Sequence, residues 1–373
     1  ITFSGQEQTY QAWNGIPESR LRGDVQGMND YIARNGLDAE DAYNLLNSSS
    51  RTYNQFTYKN QVDHYRQDYY QLHFSRQFNS IFNINAALHY TKGKGYYEEY
   101  RKQDAFANYG LDNVIIGTDT IATSNLVRRL WLDNDFYGAT FSANYTPNEK
   151  FGITIGGARN KYIGLHYGEI IWAQYASNSF IHNNYYCDTA TKTDITSYIK
   201  ANYSIAKKLN IYVDLQTRAV HYSFKGYDDS LRSVQQSAAL NFINPKVGLN
   251  YTIGQNTNVY ASYSVGNKEP SRDDYVQSTP ASRPKPETLN DVEAGLRQQT
   301  KALHLALNFY NMQYKNQLVL TGQINDVGAY NRTNVPDSYR RGIEAEVGIK
   351  LFKQLEWNIN ATFSQNKIKN FKR

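Results

Sequence analysis

The stretch from Tyr339 to Phe363 constrains this chain more than any other. After Tyr339 and Arg341, Ile343, Ala345, Val347, Ile349 and Leu351 alternate with Arg340, Gly342, Glu344, Glu346, Gly348 and Lys350. Beyond Phe352-Lys353-Gln354 the alternation resumes, with Leu355, Trp357, Ile359, Ala361 and Phe363 opposite Glu356, Asn358, Asn360 and Thr362. A period of two across a tight turn defines a hairpin with one apolar and one wet face. Two environments suit it. In a soluble sandwich the apolar face is the core; in a membrane-spanning barrel it meets lipid while the polar face lines the lumen.

The pattern recurs along the chain. Gln61 to Phe78 turns at Asn79-Ser80 into Phe82, Ile84, Ala86, Leu88 and Tyr90. Trp131 to Tyr145 turns at Pro147-Asn148-Glu149-Lys150 into Phe151 to Tyr162, and Ile195 to Ile205 turns at Lys207-Lys208 into Leu209 to Arg218. Val247 to Ile253 precedes Val259 to Val265, and Val292 to Gln299 precedes Leu303 to Val319. With an opening strand from Ile1, this gives roughly thirteen strands, many longer than the ~5–6 residues usual in globular proteins. Short turns alternate with long polar connections expected at Gly15–Lys59 (with a helical patch from Leu37 to Leu45), Gly95–Arg128 and Gly164–Thr191. Membrane barrels show that asymmetry, with turns on one side and long loops on the other; sandwiches and propellers have no reason for it.

Composition agrees. Mean hydropathy is −0.68, yet 33 tyrosines bring the aromatic share to 14%. Disordered chains are poor in aromatics, whereas barrels spend them on girdles at both interfaces. No apolar run is long enough for a spanning helix. The expected fold is therefore all-β, a transmembrane antiparallel outer-membrane barrel. The chain starts inside a strand, shows no signal peptide, and its odd strand count leaves the first and last strands running the same way. It is expected to be part of a longer protein.

Several function classes recede. The single cysteine, Cys187, excludes an internal disulfide and argues against a Cys-rich zinc site; a loop thiol is expected there. The net charge of +6 comes without a basic block, so no nucleic-acid partner is expected, although a positive lumen or mouth attracting anionic ligands is compatible with it. Lys92-Gly93-Lys94-Gly95 lacks the spacing of a phosphate loop, no H-E-x-x-H or G-x-S-x-G motif occurs, and the histidines are scattered. N-x-[S/T] triplets such as Asn144-Tyr145-Thr146 fall inside strands and read as coincidence. No enzyme, no metal site and no intrinsic cofactor are expected.

Strand-face charges, Asp214 with Arg218 and Glu344 with Glu346, would be costly against lipid and are expected to face the lumen or whatever fills it. The aromatic-rich loops are the candidates for ligand binding: Tyr96, Tyr97, Tyr100 and Arg101; Trp172, Tyr175, His182, Tyr185 and Tyr186; Arg272 with Tyr275; and Tyr330 with Arg332. Aromatic faces and guanidinium groups suit planar, anionic or metal-chelate ligands through stacking, cation–π contact and charge-assisted hydrogen bonds. Girdle anchoring or loop packing is the competing role for each tyrosine.

Read in order, these segments resemble a known family. The Tyr-rich strand Val259–Val265 leads into Gly266-Asn267-Lys268-Glu269-Pro270-Ser271-Arg272, then Lys285-Pro286-Glu287 and Glu293-Ala294-Gly295; later come Tyr330-Asn331-Arg332-Thr333-Asn334 and Arg341-Gly342-Ile343-Glu344. With His89–Glu98 and Trp131–Gly138 upstream, the series resembles a TonB-dependent outer-membrane receptor along essentially the whole chain. The resemblance implies an N-terminal plug inside a barrel of about 22 strands. Residues 1–373 would be its middle and later strands, with the plug and terminal strands absent. It also implies a Gram-negative outer-membrane location. The partners would be the TonB complex, outer-membrane lipid and lipopolysaccharide, and a small-molecule metal-chelate ligand, with iron entering only as chelated cargo. A ferric siderophore is the expected cargo, with haem or cobalamin as alternatives; a passive porin or adhesive barrel is the rival. Haem is disfavoured because Asn267-Lys268-Glu269-Pro270 departs from that branch and no histidine lies between Gly266 and Gly295.

Overall fold

A computed structural model of the chain describes residues 1–278, 282–324 and 330–369, without the side chains of 321–324, 330 and 331. Among these, one antiparallel sheet of 13 strands follows chain order, each long strand pairing with the next. Strand β1 (Thr2–Gln11) is followed by α1 (Glu18–Arg22), α2 (Val25–Asn35) and α3 (Ala39–Asn47), then by β2 (Val62–Asn79) and β3 (Phe82–Ala105). A separate small hairpin, β4 (Val114–Ile116) and β5 (Asp119–Ile121), precedes β6 (Thr123–Asn148), β7 (Phe151–Ala173), β8 (Asn183–Ala206) and β9 (Leu209–Gly226). The rest is β10 (Gln236–Thr252), β11 (Thr257–Lys268), α4 (Arg272–Val276), β12 (Glu287–Gln299), β13 (Leu303–Ile324), β14 (Tyr330–Phe352) and β15 (Leu355–Ile368). No helix among the described residues is long and apolar enough to cross a membrane.

The two faces separate as the alternation demands. Residues directly opposite each other in paired strands share a face. On one face Leu72, Phe74, Leu88, Phe141, Ile155, Ile195 and Ile199 are all exposed, and no second sheet covers them. The same holds for Ile343, Trp357 and Ile359 in the last hairpin. The belt has aromatic rims. Phe3, Tyr70, Tyr90 and Tyr137 lie in one register across four strands, with Tyr70 and Tyr90 stacked at 5.9 Å. Toward the short turns, Phe82 pairs with Tyr145, and Phe151 with Tyr203. Phe82–Tyr90 and Tyr137–Tyr145 span roughly nine residues each, the length of a tilted membrane-crossing strand.

The strands do not stop at the upper rim, and here the sequence reading is corrected. The expected loops Gly95–Arg128 and Gly164–Thr191 are largely strand, because β3, β6, β7 and β8 run for 24, 26, 23 and 24 residues. Above the rim the outward face meets water and carries Lys92, Lys94, Asp133 and Asp135, so hydrophobic alternation fades while backbone pairing continues. Cys187 accordingly sits on β8 rather than in a loop.

The excursion between β1 and β2 holds three helices where one patch was expected; α3 overlaps that patch. Asp24 and Asp38 cap α2 and α3 by accepting from Gly27 and Asp41 backbone N–H groups. Met28, Leu45 and Tyr53 make a small buried core there, and Lys102 at the top of β3 ties it down through Asp38, Glu40 and Asp41.

Candidate ligand site

The site is built by the connection after β11, which turns back onto the polar face of the sheet. Its root is Glu269, which accepts from Lys192 Nζ at 2.8 Å and from Arg218 Nη1 at 2.6 Å. These ion pairs draw the Glu269 carboxyl down to about 2 against its own burial. Ser271 then starts α4 with a capping box shared with Asp274. One residue on, Arg272 Nη2 donates to Asp188 Oδ1 on β8 at 2.7 Å. Tyr275 is buried against Tyr222 and Phe224, with centroids 5.7 and 5.9 Å away, inside an apolar cluster that includes Val220, Val234 and Phe242. The strap is thus pinned by charge at its start and by an aromatic ring at its end.

Between the strap and the inner faces of β2, β3, β6, β7 and β8 lies a cavity of about 580 Å³. Tyr65, Tyr97, Leu132, His166 and Tyr186 border it from the wall, and Arg272 and Asp273 from the strap. The volume suits a drug-sized ligand. His166 is held neutral by burial, with the Arg272 charge adding to the effect, so its imidazole falls to about 4. Burial pushes the Asp188 carboxyl up, and the Arg272 guanidinium partly offsets this. Asp63, Asp188, Asp228, Asp229 and Asp273 face two guanidiniums, Arg232 and Arg272. This lining is richer in carboxylate than the positive mouth that the net charge allowed.

The structure sorts the candidate residues. It gathers Tyr96, Tyr97, Tyr186 and Arg272 around the cavity. Tyr96, Tyr97, Tyr100 and Arg101 belong to strand β3, Trp172 to β7, and Tyr185 and Tyr186 to β8, so these are wall residues rather than loop residues. The Tyr96 ring packs against Trp131 at 4.8 Å and under the Arg129 guanidinium at 4.3 Å. Tyr100 and Trp172 border a separate groove of about 510 Å³ beside Lys102. Arg101 is bound to Asp104 at 2.9 Å, His182 contacts Glu169 at 2.8 Å, and Tyr185 packs on Tyr109 at 4.8 Å. Tyr175 donates its backbone N–H to Ser124 Oγ. Tyr275 is the strap's anchor, and Arg332 Nη1 lies 3.6 Å from Asp274. The side chain of Tyr330 lies outside the described residues.

Asp214, Arg218, Glu344 and Glu346 stand on the polar face: Asp214 accepts from Tyr212 at 2.8 Å, Arg218 belongs to the strap root, Asn308 reaches Glu344 at 3.4 Å, and His304 lies 3.7 Å from Glu346. His166, Asp188 and the Asp228-Asp229 turn went unnoticed in the sequence. Only the consecutive carboxylates in a connection offered a signal.

The family model of the TonB-dependent receptor-like β-barrel matches residues 10–372. The chain belongs to that family. Solved structures with low identity share the fold of this receptor barrel. The ferric-catecholate import receptor Fiu from K12 E. coli, in its closed form, superposes with a TM-score of 0.62 at 16% identity, over 100% of this chain and 55% of that one. The copper transporter OprC gives 0.62 at 13% identity, over 82% of this chain and 46% of its own. The ferric yersiniabactin uptake receptor FyuA from Yersinia pestis gives 0.56 at 12%, over 83% and 44%. The chain therefore spans about half the length of these structures. No curated protein matches it in sequence. The family consists of transport receptors of the Gram-negative outer membrane, and the belt with its aromatic rims fits that setting.

Proposed function

We propose that this barrel serves TonB-energised uptake of a scarce nutrient, with a ferric siderophore as the favoured cargo. The cavity beneath the strap carries the reading. It is large enough for a chelate, is walled by Tyr65, Tyr97 and Tyr186, and has the Arg272 guanidinium at its edge. Tyrosine faces and hydroxyls grip a rigid chelate, and a guanidinium pairs with its acidic oxygens. Structural neighbours named for ferric-catecholate and ferric yersiniabactin import support the choice. The barrel would act within a longer receptor whose plug is worked by the TonB complex, embedded among outer-membrane lipid and lipopolysaccharide.

The test is growth of a deletion strain with single iron, haem or cobalamin sources. Growth should fail on one or more ferric siderophores and return with the intact gene. Unimpaired growth on every source would sink the proposal.

A further inference from the structure

The charges around the cavity are unevenly answered. Two rows of paired residues cross its wall from β2 to β8, and in them only two ends are charged: Asp63 on β2 and Asp188 on β8. Between them come Tyr97 and Leu130 in one row, and Leu132 and the neutral His166 in the other. Four strand spacings of ~4.8 Å put the two ends roughly 19 Å apart along the sheet.

At the β8 end the carboxylates have cations beside them. Asp188 accepts from Arg272, whose other terminal nitrogen lies 3.4 Å from Asp273. Asp228 is held by Arg232 at 2.9 Å, with Asp229 next to it on the same turn. The β2 end is different. Among the described residues the Asp63 side chain has no cationic partner and accepts from the Tyr10 hydroxyl at 3.0 Å. That phenol stays neutral, because the carboxylate beside it pushes its pKa up. A carboxylate drawn partly out of water without a countercharge favours a cation next to it. Tyr97, directly opposite Asp63 in the ladder, adds an aromatic face that attracts the same charge. Burial pushes the Tyr97 phenol up as well, so it remains an uncharged ring. The cavity is thus dipolar, with a guanidinium at one end and an unanswered carboxylate at the other.

We propose that the cargo carries a protonated amine, which docks on Asp63 and the Tyr97 ring while the oxygen-rich part of the same molecule lies toward Arg272. On the uptake reading, on which this assignment rests, the cargo is narrowed to chelates that bear a cationic arm.

The experiment titrates the whole detergent-solubilised receptor calorimetrically with three probes. They are the ferric complex of a linear trihydroxamate with a free terminal amine, its N-acetyl derivative and its N-succinyl derivative. The three share one iron centre and differ in being cationic, neutral and anionic. The wild type should bind the amine form about tenfold tighter than the acetylated form, the discrimination that one charge-assisted hydrogen bond supplies. The succinyl form should be weakest. Asp63→Asn should erase the ranking, and Asp63→Lys should invert it. Tyr10→Phe, which removes the neutral donor and leaves the charge, should keep it. A wild type that binds all three alike, or none of them, overturns the proposal. So does a folded Asp63→Asn variant that keeps the ranking. The uptake role is decided separately by the growth test. Siderophore-dependent growth without a ranking by charge leaves that role standing and removes the amine site, and a ranking without any growth defect does the reverse.

Discussion

Arg272 and Asp188, 84 residues apart in the chain, meet at 2.7 Å and fasten the strap after β11 to the wall strand β8. Asp188 is 3% exposed and Arg272 about a quarter exposed, so the pair is mostly out of water. Removing one member of such a pair strands the other, which costs on the order of 3–5 kcal/mol in fully buried cases.

Arg272→Ala should therefore both weaken cargo binding and lower the unfolding temperature of the detergent-solubilised barrel. Asp188→Asn added to it should restore much of the lost stability without restoring affinity. Calorimetry on the two single variants and the double variant gives the coupling. Purely additive losses would show that the pair does not act as one latch.

Arg332→Ala should be milder. Arg332 is 39% exposed and lies 3.6 Å from Asp274, a geometry worth at most about 1 kcal/mol. A loss of affinity matching that of Arg272→Ala would place Arg332 directly on the cargo.

Acid should loosen the site in two windows. His166 falls from its ordinary 6.5 to about 4, so the unfolded state binds the extra proton first and stability is lost as pH drops from 6.5 toward 4. The span bounds the effect at about 3 kcal/mol. Glu269 falls from 4.5 to about 2, so its contribution is present above 4.5 and disappears as pH falls toward 2. His166→Gln should flatten the upper window and Glu269→Gln the lower one, as read by thermal midpoints across pH. A profile unchanged by either variant contradicts the assignment.

Gly95 is a packing constraint on the cavity wall. A Cβ there would lie 2.2 Å from the His64 carbonyl oxygen and 2.7 Å from the Tyr65 Cα, backbone atoms that cannot swing aside. Gly95→Ala should cost about 1–3 kcal/mol by overpacking. Gly248→Ala, whose nearest contact would be 3.7 Å, should be nearly neutral. The ratio of the two thermal shifts checks this.

How far the chain could be read without coordinates depends on what each residue touches. The hairpins around Asn79, Lys207 and Lys353 were legible because lipid on one side and water on the other impose strict alternation. The upper halves of β3, β6, β7 and β8 were not, because water lies on both sides and pairing needs no apolar stripe. Tyr97, Tyr186 and Arg272 stood out by residue type, yet their convergence depends on the strap folding inward, a long-range event with no local signature. His166 and Asp188 oppose each other in register, but a lone histidine and a lone aspartate in polar segments carry no pattern.

The height of the walls has a consequence of its own. From Tyr137 to Thr123, β6 runs roughly 46 Å along the strand beyond the rim at ~3.3 Å per residue. On the proposed uptake reading, selectivity is decided in this turret beyond the rim, while anchorage is decided in the ring beneath. Substitutions that retune the turret for a new cargo leave the insertion of the ring untouched, so the two properties are free to evolve at separate rates.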